Sequence, residues 1–175
     1  MKSKDIAIVG ILLAIGAILR YFLAMLHTPL TPNMIIAFYC LAIILIHPKV
    51  YEALGIGIVA GILSMLISSS MFPPANIISE PLGALVCFGL YAVIKNRSKF
   101  APSVTTFIST LVSGFSFAAI AIIFVGATIL AKYNGDMMAF VVVFVPIVVI
   151  TAIFNAIIVQ ILYIPSNRVL SRGQE

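Results

Sequence analysis

From about residue 5 to residue 164 the sequence is a series of apolar runs, most of them near the 20 residues that cross a bilayer as a helix, separated by short breaks rich in proline, asparagine and lysine. Such a chain has no polar face to turn toward water. Hydrophobic residues make up 63% of its 175 and charged residues only 9%, with a mean hydropathy of +1.25, so the side chains that coat a soluble globule are missing. The length holds about six spans joined by short loops and leaves nothing for a separate aqueous domain. The expectation is one transmembrane domain over residues 1–175, an all-α integral membrane protein crossing the cell membrane several times in contact with lipid. Helices are required because lipid offers no hydrogen-bond partner to an open backbone. Lys2 and Lys4 ahead of an apolar run imitate a secretory signal. That run, however, continues for about 20 residues, carries Arg20 and ends without a small-x-small cleavage site, so it reads as a retained first span.

The breaks divide the chain into helices at about 5–26, 34–46, 51–69, 79–94, 103–130 and 137–164. The second, at 1.5 Å per residue, reaches only about 20 Å, less than a bilayer's roughly 30 Å, so neighbours or bent loops must cover its ends. Basic residues set the orientation, because Lys and Arg are retained on the cytoplasmic side. With both termini inside, Lys2, Lys4, Lys49, Lys95, Arg97, Lys99, Arg168 and Arg172 all face the cytoplasm, and only Arg20 and Lys132 lie toward the outside. The segments "HTPLTPN", "FPPAN" and "KYNGD" then form one external set above the bundle.

Several function classes are excluded by what the sequence lacks. The ten basic residues are scattered, with no stripe interleaved with aromatics, so nucleic acid is not a partner. Cys40 and Cys87 fall inside apolar runs without metal or disulfide spacing and read as small buried hydrophobes. His27 and His47 belong to opposite membrane faces and cannot share a metal. No Gly-x-x-x-x-Gly-Lys loop and no His-Glu-x-x-His occurs, so the chain neither hydrolyses ATP itself nor reads as an intramembrane enzyme, and it implies no cofactor. Alternating access by inverted repeats generally uses a longer chain. A transporter this short borrows its energy source.

Of the five acids only Glu80 lies at a helix start within the bundle, with Ser79 as the expected N-cap and Pro81 in the first turn. Arg20, about 15 residues into the first helix, stands roughly 22 Å from its inner end, at a comparable depth. Three readings of the pair are open: a snorkelling arginine with a water-exposed capping acid, a structural ion pair, or a binding site. A cation and an anion at one depth suit a zwitterion, Arg20 clamping a carboxylate and Glu80 accepting from an ammonium, which describes an amino acid. Tyr21, Phe22, Phe72, Tyr133, Phe140 and Phe144 lie near the same level for ring stacking, and Asn33 and Asn76 either cap helix ends or contact solute. Asn155 and Gln160 read as polar links between helices, and Ser109, Ser113 and Ser116 as ordinary helix contact.

Small residues recur at three- and four-residue steps at Ala7, Gly10, Ala14 and Ala17 on the first helix, and at Gly57, Gly61, Ser64 and Ser68 on the third. Such faces either pack inside the bundle or dock a second membrane protein.

The string "GIVAGILS" at residues 57–64, followed by Phe72-Pro73 and Asn76-Ile77-Ile78, resembles a family of tryptophan transporters among the substrate-binding S components of energy-coupling factor (ECF) importers. The opening "KSKDIAIVGILLAIGAILR", "TPNM" and Asn155 with "YIP" at the end of the sixth helix extend the likeness over nearly the whole chain. The resemblance implies a bundle of six transmembrane helices of the S-component type with both termini cytoplasmic. It implies an outward pocket under external loops, and delivery of solute to a transmembrane coupling protein driven by two cytoplasmic ATPase subunits. Gly10 and Ala14 match the small-x-x-x-small spacing with which that group docks its coupling protein. Where the family tends to carry Gly-Gln and Asp-Lys steps after the third helix, this chain has Pro74-Ala75 and Ser79-Glu80, which keeps another amino acid or a small vitamin-like molecule open as cargo. The resulting expectation is uptake of tryptophan or a similar amino acid, with Arg20, Glu80, Asn76, Asn33, Phe72, Tyr21 and Tyr133 at the solute and Ala7, Gly10, Ala14 and Ala17 at the partner. The alternatives are a stand-alone permease driven by an ion gradient and a structural protein resembling the rod-shape MreD group.

Overall fold

The computed structural model describes residues 1–25, 33–70 and 72–172, with side chains as far as residue 168. It contains α1 (Ser3–Met25), α2 (Met34–Ile46), α3 (Val50–Ile67), α4 (Asn76–Ile94), α5 (Ala101–Lys132) and α6 (Met137–Arg172), with a 3₁₀ turn over Pro73–Ala75. Five stretches are long and apolar enough to cross a membrane, namely α1, α3, the 3₁₀ turn with α4, α5 and α6. At 13 residues, α2 is too short for that.

The short helix is the centre of the fold. Every residue from Met34 to Ile44 is buried, and α2 touches all five other helices. A helix apolar on all sides is stable only when surrounded, and here protein rather than lipid surrounds it. Gly16 of α1 brings the two backbones close: a Cβ there would stand 3.1 Å from the Cα of Ile35 and 3.1 Å from the Phe38 ring. His47 ends α2 in the left-handed conformation, φ 50°, its N–H donating to the Ile43 carbonyl. The turn lets α3 run back along the bundle.

The helices α3 and α4 are locked by missing side chains. A Cβ on Gly57 would stand 2.7 Å from the Cα of Pro81, and one on Gly61 2.7 Å from the Asn76 carbonyl oxygen. Pro81 lies inside α4, which begins at Asn76 and not at Ser79 as the sequence predicts. The proline does not mark the helix start, because the 3₁₀ turn Pro73–Ala75 runs straight into α4. Ser79 therefore caps nothing, and its hydroxyl is buried without a hydrogen-bond partner. The sixth helix also departs from expectation: it runs through Pro165 instead of ending at "YIP". A helical proline forfeits one i→i−4 bond and bends the chain but does not have to stop it. The fifth helix is broken at Val125, φ −131°, beside Gly126.

Hydroxyls that would be orphaned inside the bundle bond back one turn: Thr106 to the Pro102 carbonyl, Ser109 to Thr105, Thr110 to Thr106 and Thr151 to Ile147, at 2.7–2.9 Å. Among the described residues, α1 packs only on α2 and α3. The sequence segment "HTPLTPN", with His27, lies outside the described residues except for Asn33.

Candidate functional site

Starting α4 at Asn76 puts Glu80 in its second turn, inside the bundle and only 1% exposed. That position rules out a water-exposed capping acid. Its Oε1 accepts from Asn33 Nδ2 at 2.6 Å, just before α2, and its Oε2 accepts from the Ser113 hydroxyl of α5 at 3.0 Å. Two chain segments thus hold the α4 carboxylate with neutral donors. Asn33 is fixed in turn, since Asn155 of α6 donates to its carbonyl at 3.1 Å and to Thr110 Oγ1 at 3.4 Å. The expected linking role of Asn155 is met by these bonds. These bonds fix the start of the short helix against α4, α5 and α6, while the amide oxygens of Asn33 and Asn155 stay buried without a partner among the described residues.

Arg20 of α1 lines the same cavity as Glu80, and its Nη1 is buried without a hydrogen-bond partner. The two charges sense one another through space, yet no described carboxylate lies within 4.0 Å of the guanidinium. The reading as a contact ion pair is therefore corrected: the two side chains line one cavity of about 280 Å³ with no N–O approach within 4.0 Å. That volume is near the lower end of small-molecule sites, roughly 300 to 1,000 Å³.

The cavity has two kinds of wall. Arg20, Asn33, Asn76, Glu80, Ser113 and the Ser68–Ser70 hydroxyl run supply polar groups from α1, α4, α5 and the α2 and α3 ends. Gly114 and Phe117 of α5, with Phe144, Ile147 and Val148 of α6, form an apolar wall. Asn76 both faces the cavity and closes the preceding turn, donating to the Pro73 carbonyl at 2.7 Å.

The aromatic expectations fare differently. Phe72 stacks on Phe124 at 5.3 Å, and Tyr133 packs edge-on against Phe140 at 5.6 Å; both pack in the apolar cluster around Ala121 and Ile129, and neither lines the cavity. Tyr21 is 55% exposed and meets Phe22, not the cavity, because adjacent helical residues point about 100° apart and Arg20 already takes the inner direction. Of the aromatics considered from sequence, only Phe144 lines the wall. Phe117, Ser113 and Thr110 also line the cavity, which their sequence neighbourhood does not declare. The signal it carries is no more than a hydroxyl stripe at three- and four-residue steps through Thr106, Thr110 and Ser113, continuing to Phe117. Of the small residues on α1, Ala7, Gly10 and Ala14 are exposed, Gly10 having nothing within 4 Å of an added Cβ, while Ala17 packs against the core.

A family model described as "Tryptophan transporter TrpP" matches residues 2–171. A protein of Bacillus subtilis (strain 168) named "Probable tryptophan transport protein" is 32% identical over 177 aligned residues, covering 99% of this chain and 96% of that relative. No solved structure matches the chain. The family pattern runs through nearly the whole sequence and the helices suit a bilayer, so this multi-pass membrane protein belongs to the tryptophan transporter family TrpP.

Proposed function

We propose that the cavity binds tryptophan or a similar aromatic amino acid for uptake, and that the protein is the substrate-binding subunit of an energy-coupling factor importer. The observation that carries the binding reading is that a guanidinium with a buried, unpartnered Nη1 and a buried carboxylate line the same cavity without pairing. Ionisable groups are retained inside membrane bundles where they line a site or pathway, and a zwitterion supplies both missing partners at once. The substrate carboxylate docks on Arg20, the ammonium on Glu80 in place of one of its neutral donors, and the ring on Phe117 and Phe144. Membership of the tryptophan transporter family supports the choice of cargo.

The coupling reading is supported by the unpartnered small-residue face of α1 and by the absence of a phosphate-binding loop in the sequence. In this reading both termini are cytoplasmic, the cavity opens outward, and Gly10 and Ala14 dock the coupling protein, which two ATPase subunits drive.

Binding is tested by calorimetry with the purified protein. Arg20→Ala and Glu80→Gln are each expected to weaken tryptophan binding roughly 10- to 100-fold, the value of one charged hydrogen bond or two. Unchanged affinity in both variants removes the charged pair from the site. Energy coupling is tested by uptake in cells lacking the ECF ATPases, where loss is expected. Uptake that persists there and collapses with the proton gradient supports the ion-driven permease instead.

A further inference from the structure

The apolar wall carries a finer assignment. We infer that Gly114 of α5, through its contact with Val148 of α6, sets the width of the ring-binding half of the cavity and thereby which aromatic side chain is accepted. The inference rests on the binding reading above and names the residue pair that gives it specificity.

Glycine in mid-helix is disfavoured, since it loses the most backbone freedom on folding, and a position that keeps it usually does so for close approach. At Gly114 the approach is explicit: an added Cβ would stand 2.7 Å from Cγ1 of Val148 and 3.0 Å from Cγ2. Val148 is itself buried and, like Gly114, faces the cavity. The bare α5 backbone and the two valine methyls therefore make a flat strip, and because α5 and α6 run antiparallel, Phe117 one turn along α5 and Phe144 one turn back along α6 stand together at one end of it. Phe144 is braced from behind by Phe140, stacked at 5.3 Å.

The strip also stands in the right place relative to the charged end. Ser113, whose hydroxyl holds Glu80, is the residue immediately before Gly114, and Phe117 lies about 6 Å farther along the axis. A substrate anchored by its ammonium at Glu80 must lay its ring across Gly114 to reach Phe117. Any atom added at 114 displaces Val148 or narrows the space the ring occupies. Gly126, farther along the same helix, has only an atom of its own helix near an added Cβ, at 4.0 Å. Of the two glycines of α5, only the one on the cavity wall thus meets another helix this closely.

The experiment measures dissociation constants for tryptophan, phenylalanine and 5-methyltryptophan with the full chain in nanodiscs. One methylene in an apolar pocket changes discrimination by about 10- to 200-fold. Gly114→Ala is accordingly expected to weaken tryptophan by at least about tenfold and phenylalanine by less than about threefold. Val148→Ala should improve 5-methyltryptophan relative to tryptophan, and the double variant should restore tryptophan. Gly16→Ala, a packing glycine away from the cavity, should leave every ratio unchanged. If Gly114→Ala does not fold, Val148→Ala decides alone. Unaltered ratios in the folded variants overturn the assignment of Gly114 while leaving the zwitterion reading intact. If tryptamine and indole-3-propionate bind the unaltered protein as tightly as tryptophan, the zwitterion reading fails while the Gly114 assignment stands on the ratios. Failure to bind any aromatic amino acid overturns both.

Discussion

The first and third helices carry the same sequence device and use it oppositely. On α3, Gly57 and Gly61 face α4 so closely that a single Cβ would strike its backbone at 2.7 Å. On α1, Gly10 occupies an equivalent step in a small-residue stripe, yet nothing lies within 4 Å of where its Cβ would be. The neighbours of Gly10 are exposed as well, Ile11 to 61%. One stripe is consumed in building the bundle and the other is left over. Spacing alone does not distinguish them, because both satisfy the pattern that lets helices approach. What separates them is position: α3 is flanked by α1, α2 and α4, whereas α1 packs on α2 and α3 only.

The sharpest way to break this comparison is to fill both stripes. Gly57→Val should lower stability by about 3 kcal/mol, the upper part of the usual overpacking range, measured as a fall in thermal midpoint in detergent. Gly10→Leu should not lower that midpoint and should preserve tryptophan binding, because the added Cβ meets no neighbour and leucine is the better helix former. Its expected effect is on uptake in cells, which should fall at least about tenfold if the exposed face meets the coupling protein. Equal destabilisation by both substitutions would show that the α1 face is packed after all. A smaller effect sharpens the contrast: Gly10→Ala should stabilise the protein by up to about 1 kcal/mol, because the helix gains propensity and loses no contact. The same change at Gly61 should destabilise.

The smallest expected effect concerns the turn that sends α3 back along α2. His47 stacks on Tyr91 of α4 at 5.5 Å, and its partial burial, with the charge of Lys95 nearby, holds its pKa below the ordinary histidine value. A pKa depressed in the folded state means that protonation favours unfolding. Stability should therefore be level above about pH 6.5 and decline as the pH falls below it through the folded-state pKa. A thermal midpoint that drops slightly on acidification, and a flattened profile in His47→Gln, would tie the dependence to this side chain.

Much of the layout was legible from one residue type after another. The bounds of α2, Met34–Ile46, coincide with expectation because "PN" and "HPK" bracket an uninterrupted apolar run. The common depth of Arg20 and Glu80 followed from the rise per residue, and both line one cavity. The start of α4 was misplaced because Pro81 resembles a first-turn proline, whereas the 3₁₀ turn ahead of it had already begun the winding. Tyr21 was expected at the solute on depth alone, but helical rotation turns it away. Ser113 passed as a contact serine because a hydroxyl on an apolar helix declares its partner only when another helix supplies one.

The sequence by itself determined that this chain lives in lipid, that its apolar runs wind into helices, and that charges within the bundle would be rare, since hydropathy and helical rise are local quantities. Only the tertiary structure decided that the shortest helix sits at the centre, that the glycines of one small-residue stripe are buried while Gly10 of the other is bare, and that Arg20 and Glu80 line one cavity without pairing. Those outcomes depend on which face of each helix meets which neighbour, and that is fixed by rotation and packing between segments far apart in the chain.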